Sequence, residues 1–468
     1  MLQIGEKFLD KSGHDAKRIA LQTRWLELYY STHIHNKIVS ANGDTIDIDP
    51  LVPLPNTISE IFSDLLFLNF PKISFGTASN DDQLKPITNK LAVDTLEAAG
   101  LNSATGMLFC NMFNIDSKTH WKFMSPTQAI WENDKLDNLE TILFFKLKEV
   151  DKKGNMLYHI QEHKLIETGR KTLDGGKTTQ PIIAGIIETY EMWVNVNYKI
   201  TNIFNDVTTS TGLDFIPVIT VWNVGQLNSK IGRSDYQGKE QLFAELDNRY
   251  DQINYVLQEH SEPWTFLPPG ILTKNGQFQR RNGKMVEKAG GGVGDNTVDI
   301  VSWDASLDSA FRMIDSILDI TLFTSRISGA IASRGNDSRG GGVESGKAVI
   351  WKSVQTWTAV QKRQGYWSTF FKVFFTYLGK MDKTYAFLTE DVIKQFEIQW
   401  ATNLPMDETA DTDNLTKQVA GGIKSQLTAI GQLQDKDQDA AIKEQQQIQS
   451  EQETEASIQA SSSTPVTL

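Results

Sequence analysis

The sequence predicts an α+β fold, because stretches with helical periodicity alternate with stretches that have the two-residue period of strands. The chain has 468 residues, 40% of them hydrophobic, with 11 Trp and 23 Phe. Such a chain can bury a sizeable core, and its length predicts two or more structural regions. The single cysteine, Cys110, excludes an intramolecular disulfide framework and a cysteine-based zinc cluster, and we expect it to be a buried apolar residue.

The first elements are predicted to be helices. Residues 16–33 place apolar side chains at near-helical spacing. Thr57 and Glu60 have the spacing of a capping box, which predicts a helix that begins there and ends before Pro71. Another helix is predicted near residues 87–99.

Strands follow from about residue 106 to residue 200. Residues 142–149 and 156–165 flank a turn at residues 151–155, which predicts a β-hairpin. Apolar residues at every second position predict a further strand over residues 190–198. The N-terminal half is therefore expected to be mixed α+β.

Residues 216–223 predict a short buried strand, after which Ser234 and Gln237 have the spacing of a second capping box. A helix running from there to His260 would be about 35–40 Å long at about 1.5 Å per residue. Its apolar stripe is Leu242, Leu246, Ile253 and Leu257. The proline- and glycine-containing residues 263–304 predict a compact, loop-rich insert.

A second helix returns from the insert. One predicted face consists of Leu307, Phe311, Ile314, Leu318 and Leu322. The opposite face is polar and net acidic, with Asp308, Arg312, Asp315 and Asp319. These four polar residues are the candidate site residues of this helix.

The glycine-rich segment after this helix, residues 325–347, cannot hold a rigid helix throughout and is predicted to be a mobile loop. It carries Arg326, Arg334 and Arg339. A long aromatic helix is predicted from residue 346 to residue 379, followed by a strand and a polar C-terminal region with short helices.

The net charge of −12 argues against tight nucleic-acid binding over the whole surface. The charge is uneven, because residues 401–468 hold 11 Asp or Glu against 4 Lys. The sign reverses at residues 274–288, where the cations are Lys274, Arg280, Arg281, Lys284 and Lys288. This patch is either a solvated hairpin or a contact surface for an acidic partner or DNA.

No catalytic or metal site is predicted. Residues 341–348 nearly match a phosphate-binding loop, but Ala348 lacks the hydroxyl that would hold Mg²⁺ and no strand precedes the glycines. His159 and His163 lie in a strand-like pattern that separates them, and His33 and His35 lack a third ligand. No carboxylate pair or nucleophile motif suggests an enzyme, so no cofactor is expected.

The order of these elements resembles the portal proteins of tailed bacteriophages, especially those of siphophages that infect Gram-positive bacteria. Three short segments carry the likeness in detail. They are the strand at 216–223 with Gly232, Arg233, Ser234, Asp235 and a helix holding Leu246, Asp247 and Asn254; the helix entry Glu344, Ser345, Gly346, Lys347 and Ala348; and the exit strand and turn with Asn403, Leu404, Pro405 and Asp407.

The resemblance implies a portal fold with wing, stem helices, clip, tunnel loop with a long kinked helix, and α-helical crown. The implied regions are wing 1–234, stem helices 235–260 and 305–323, clip 261–304, tunnel loop 324–345, long wing helix and strand 346–400, and crown with an acidic, Gln-rich tail 401–468. The family implies a non-enzymatic dodecameric ring at one capsid vertex, assembled in the host cytoplasm.

The implied partners are double-stranded DNA without sequence specificity, the terminase large subunit, head–tail adaptors, and the major capsid and scaffolding proteins, with no membrane. An acidic wall would let DNA slide, and we expect Arg326, Arg334 and Arg339 to lie nearest the channel. The clip cations, Lys274, Arg280, Arg281, Lys284 and Lys288, would contact partners. The alternatives are another virion structural protein, such as a minor head or scaffold-associated protein, or a nucleotide hydrolase that uses residues 341–347.

Overall fold

The computed structural model describes most of the chain. The described residues are 14–32, 38–39, 45–46, 52–116, 118–133, 139–173, 178–226, 229, 231–261, 264–267, 285–287, 299–301, 307–329, 331–332, 346–401, 408–434 and 442–450. The chain divides into two compact units, one formed by Met1–Gly335 with Gln355–Asn403 and the other by Asn336–Val354 with Leu404–Leu468.

Helices and strands are mixed along the described residues, which confirms the predicted α+β class. The helices are α1 His14–Tyr29, α2 Leu54–Phe67, α3 Ala78–Thr105, α4 Glu240–Ser261, α5 Asp308–Thr324, α6 Gly346–Met381, α7 Glu390–Lys394, α8 Glu408–Ala420 and α9 Gln426–Gln434. The strands are β1 Ile38–Val39, β2 Thr45–Ile46, β3 Lys72–Ser74, β4 Met107–Ile115, β5 Lys118–Met124, β6 Ala129–Asn133, β7 Leu139–Val150, β8 Met156–Leu173, β9 Thr178–Val194, β10 Ile200–Ser210, β11 Val218–Trp222, β12 Trp264–Leu267, β13 Met285–Glu287, β14 Asp299–Val301 and β15 Glu397–Gln399.

The largest sheet is antiparallel and has the strand order β10-β9-β8-β7-β6. The predicted hairpin is confirmed as β7 and β8, and Asp151 stabilises its turn by accepting hydrogen bonds from the backbone of Lys153 and Asn155. The strand predicted over 190–198 ends at Val194, because Asn195 accepts from the backbone of Asn197 and Lys199 and turns the chain.

A smaller sheet has the strand order β11-β4-β5, and aromatic side chains of β5 pack against α6. The predicted long aromatic helix is confirmed, and its core side chains Trp367, Phe370, Phe371, Phe374 and Phe375 are all buried. They contact aromatic rings of β5 and α2 in edge-on and tilted geometries, which are favourable for aromatic pairs. The helix is uninterrupted through residues 346–381, and the kink implied by the resemblance stays a prediction.

Both predicted capping boxes are wrong. Helix α2 begins one turn earlier, at Leu54, since proline is tolerated in a first helical turn, and Thr57 donates to the Pro53 carbonyl from inside the helix. Helix α4 begins later, at Glu240, because Ser234 belongs to a buried turn in which its hydroxyl donates to the Ala104 carbonyl.

Helix α3 is much longer than the predicted 87–99. It begins where Thr77 accepts from the backbone of Asn80, and it ends at Gly106, whose φ of +84° is the left-handed conformation typical of helix ends. Pro86 and a weak apolar pattern hid its N-terminal half. The strand predicted after α6 is also shorter than its apolar pattern, because only Glu397–Gln399 pairs with β3.

The C-terminal unit contains α8 and α9, which contact each other, and a further helical stretch covers residues 442–450. These confirm the predicted short C-terminal helices. In the insert, β12 pairs with β13 and β14 to form a small sheet. None of the described helices is long and apolar enough to cross a membrane.

Candidate functional site

Helices α4 and α5 pack against each other through a small apolar core. The buried side chains Leu246 and Ile253 of α4 meet Ile314 and Ile317 of α5. One detail of the predicted α5 face is wrong, because Phe311 is 49% exposed whereas Ile317, assigned to neither face, is 4% exposed. The buried face is rotated toward Ile317 and Thr321 to meet α4.

The four predicted polar residues of α5 lie on one exposed stripe. Asp308, Arg312, Asp315 and Asp319 are all exposed and recur at spacings of four and three, so they share one side of the helix. Three carboxylates against one guanidinium give this acidic stripe a net negative charge.

A third sector of α5 is exposed and apolar. Met313, Ile320 and Phe323 are 44%, 48% and 69% exposed, and Ser316 lies between them on the same side. At about 100° per residue, this apolar stripe is centred roughly 90° around the helix from the acidic stripe and roughly 130° from the buried face. Exposed apolar stripes of this kind mark contact surfaces.

Arg326 follows α5 and is exposed. Its φ is +61°, and the backbone amides of Arg326 and Ile327 donate to the Phe323 and Leu322 carbonyls. This is the Schellman ending of a helix, in which glycine is the usual left-handed residue. The long cation is therefore held at the start of the predicted loop, at a conformation that is costly for a residue with a Cβ.

The start of α4 is anchored by a close approach of two backbones. A Cβ on Gly106 would lie 2.4 Å from the Gly232 carbonyl oxygen, and a Cβ on Gly232 would lie 2.1 Å from the Gly106 carbonyl oxygen. Only glycine fits at both positions. The contact fixes the turn that precedes α4 against the end of α3.

Asp235 lies at the centre of this anchor. One of its carboxylate oxygens accepts from the Arg363 guanidinium at 2.5 Å, and the other accepts from Ser103 at 2.6 Å and Asn223 at 3.1 Å. Arg363 also donates to the Asn223 side chain at 2.9 Å, and its guanidinium lies 3.8 Å from the centroid of the Phe62 ring. The Asp235 junction, as we call these residues, joins α2, α3, β11, the α4 turn and α6.

Neighbouring buried groups extend the junction. Tyr236 is fully buried and donates to the Pro55 carbonyl, with its hydroxyl 2.6 Å from that of Ser59. Lys239 donates to the Asp235 carbonyl, and burial lowers the pKa of its ammonium to about 8. Because most of these polar atoms have partners, the turn is held in one arrangement.

Sequence patterns found part of this site and missed the rest. The resemblance had singled out Ser234 and Asp235, but Asn223, Ser103 and Arg363 were not predicted. Arg363 lies 128 residues from Asp235 on an aromatic helix, where an arginine suggests a solvent-facing position. A single glycine-flanked Ser-Asp turn could have suggested a buried carboxylate, but not its partner.

Several predicted residues lie outside the described residues. These are Arg334, Arg339, Lys274, Arg280, Arg281, Lys284, Lys288, His33, His35, Gly341 and Gly342. Of the three loop arginines, only Arg326 lies within the described residues.

The histidines His159 and His163 lie in strand β8, as predicted. His163 is 1% exposed, stands edge-on to the Phe144 ring, and neither of its ring nitrogens has a hydrogen-bond partner among the described residues. Burial lowers its pKa to about 4. Within the same described ranges, no three His, Cys, Asp or Glu residues come close enough to hold a metal ion. Cys110 is buried, as predicted.

The described residues thus contain a pair of helices, one with an acidic stripe, that is anchored through a buried junction to a mixed α+β region. A family model described as phage portal protein, SPP1 Gp6-like, matches residues 10–457. The chain therefore belongs to this phage portal family, whose members are structural proteins of the virion that act in DNA packaging. A comparison with individual curated proteins found no match.

Proposed function

We propose that the chain forms a closed ring, a dodecamer, around a channel for double-stranded DNA at one capsid vertex. The observation that carries this proposal is the division of α5 into a buried, an acidic and an apolar sector. A helix in a ring wall has three surroundings: its own subunit, its neighbour and the channel. The buried face of α5 packs against α4 of the same subunit. The apolar stripe would contact a neighbouring copy, and the acidic stripe would face the channel.

An acidic wall fits DNA that must slide. Clustered lysines and arginines would release counterions from DNA and hold it, whereas Asp308, Asp315 and Asp319 keep phosphates at a distance. Sparse arginines at the start of the loop, of which Arg326 is exposed, would make brief contacts with phosphates and read no sequence. Arg334 and Arg339 are proposed to act in the same way.

The other regions are assigned by position in the chain. Residues 1–234 with 346–400 form the wing, α4 and α5 the stem, residues 261–304 the clip and 401–468 the crown. The clip cations are proposed to contact the terminase large subunit during packaging and head–tail adaptors afterwards. The capsid and scaffolding proteins would contact the outside of the ring, assembled in the host cytoplasm.

The mass of the purified protein tests the ring. Twelve copies of 52.6 kDa give about 631 kDa by light scattering. A Phe323→Asp, Ile320→Asp variant places two charges in the proposed subunit contact, and we expect it to elute near the monomer mass because buried unpaired charges are costly.

Phe311→Asp is the matched control, since Phe311 is also about half exposed but lies outside the apolar stripe. We expect this control to keep the ring mass. A ring that survives the double change, or that is lost equally in the control, would contradict the assignment of the apolar stripe.

A further inference from the structure

We infer that a groove beside strand β11 docks a basic, extended segment of another virion protein by strand addition. The groove lies among β11, the five-stranded sheet and α6, and none of its described lining residues belongs to α4 or α5. This role goes beyond the channel and does not depend on it.

The groove is an open cavity of about 750 Å³. Leu165 and Ile183 of the five-stranded sheet line one side, and Val373 and Tyr377 of α6 line another. Consecutive residues from both faces of β11 also line it, so the groove runs along the edge of that strand. Ile183 is 42% exposed, which leaves apolar surface available to an occupant.

Strand β11 is an edge strand in the order β11-β4-β5. The Met112 amide donates to the Pro217 carbonyl, which makes 217, 219 and 221 the positions whose backbone groups point toward β4. The amide and carbonyl of Thr220 therefore point away from β4, toward the groove. An edge of this kind pairs readily with an added strand.

The charge of the groove selects the occupant. Glu140, Glu167 and Asp214 are among its lining residues and are exposed, and no lysine or arginine is among the described residues that line it. Burial and the Asp214 carboxylate raise the pKa of the nearby Tyr377 hydroxyl. A segment with apolar residues facing the walls and Lys or Arg at the mouth fits this surface, whereas an acidic segment or DNA would be repelled.

A synthetic peptide can test the groove directly. The probe is a fluorescein-labelled nonapeptide that alternates lysine with valine, titrated against the full-length protein by fluorescence polarisation. Thr220→Pro removes the outward amide without removing a hydrogen bond to β4, and we expect at least a tenfold loss of affinity. Thr220→Val keeps the amide and should retain affinity.

Two triple variants of equal net charge test whether the acidic residues of the groove bind the peptide. Glu140→Gln, Glu167→Gln, Asp214→Asn should weaken binding at least tenfold, whereas Asp82→Asn, Glu390→Gln, Asp391→Asn, on exposed helices elsewhere, should not. Equal losses in the two triple variants, equal binding by Thr220→Pro and Thr220→Val, or no binding to the unmodified protein would overturn the inference.

Light scattering on the same variants separates this inference from the proposed ring. We expect Thr220→Pro and the groove triple variant to keep the ring mass. If either variant falls to the monomer mass, the groove holds a neighbouring copy of this chain, and the proposal of another protein is wrong. A monomeric unmodified protein that still binds the peptide would contradict the ring alone.

Discussion

Arg363 and Asp235 form an ion pair whose side chains are only 4% and 12% exposed. Taking two charges out of water is costly, and here the cost is offset by the Ser103 and Asn223 hydrogen bonds and by the Phe62 ring. Removing one partner of this ion pair would leave the other as an uncompensated buried charge.

We expect Arg363→Met to lower the free energy of unfolding by about 3–5 kcal/mol, because Asp235 would remain buried without its cation. Urea denaturation of the full chain followed by tryptophan fluorescence measures this change. Arg249→Met is the matched control. Its partner Glu245 and Arg249 itself are 40% and 37% exposed, so we expect a loss of no more than about 1 kcal/mol. Similar losses in both variants would show that the Asp235 junction is not special.

His163 should make stability depend on pH. Its pKa is lowered from 6.5 to about 4 in the folded chain, so the unfolded chain binds more protons between those values. The contribution of neutral His163 to the free energy of unfolding is therefore fully present above about pH 6.5. It is lost as the pH falls toward 4, by about 3 kcal/mol in all. The measurement is the difference in unfolding free energy between the unmodified protein and His163→Phe at several pH values.

Burial raises the pKa of Glu162, so this carboxyl changes stability with pH in the opposite direction to His163. Because Glu162 is present in both proteins, its contribution cancels in the difference and that of His163 remains. His163→Phe keeps a ring against Phe144 and removes the group that must stay neutral. His120→Phe, which removes another histidine and leaves His163 in place, is the matched control. A His163→Phe protein that loses stability in parallel with the unmodified one would refute this cause.

Two glycines in the interior of helix α6, Gly365 and Gly379, have opposite surroundings. A Cβ on Gly365 would meet nothing within 4 Å, whereas a Cβ on Gly379 would lie 2.7 Å from the Leu388 carbonyl oxygen. We expect Gly365→Ala to stabilise the protein by about 1 kcal/mol, since glycine is a poor helix former, and Gly379→Ala to destabilise it. Urea denaturation of the two variants measures both signs. A destabilising Gly365→Ala would show that α6 needs flexibility at this point.

Elements with a strong local signal were predictable from the sequence. The β7–β8 hairpin follows from alternation around the turn at Asp151, and α6 follows from aromatic residues at helical spacing. Helix starts were less predictable, because Thr57 and Ser234 have capping-box spacing but use their hydroxyls on other backbone carbonyls. The residue at which each helix begins is therefore set by contacts with the rest of the fold and not by the capping-box spacing alone.

The candidate site was predictable only where one helix carries it. The acidic stripe of α5 follows from the spacing of Asp308 and Asp319 within a single helix. The Asp235 junction unites residues from five parts of the chain, and no local period can predict such a contact. The β11 groove was likewise missed, because the open edge of a strand depends on which neighbours it pairs with.

At the scale of the whole molecule, the net charge of −12 is compatible with the proposed DNA channel because the acidic residues are concentrated in particular segments. Of this total, the C-terminal residues 401–468 contribute −7, and helix α5 carries its own acidic stripe. Sliding requires weak contact everywhere along the wall, so a low affinity for DNA is the expected property of the assembled protein.

Reversing the charge of the α5 stripe should turn the wall of the proposed channel into a DNA-binding surface. In Asp308→Lys, Asp315→Lys, Asp319→Lys, each subunit would present three added cations, and the slope of log K against log salt should become steeper by about 0.9 for each phosphate contacted. Retention of linear double-stranded DNA by the purified assembly at increasing salt measures the slope. The control variant Asp82→Lys, Glu390→Lys, Asp391→Lys has the same net charge on other exposed helices. If the control steepened the slope as much as the stripe variant, the acidic stripe would not face the channel.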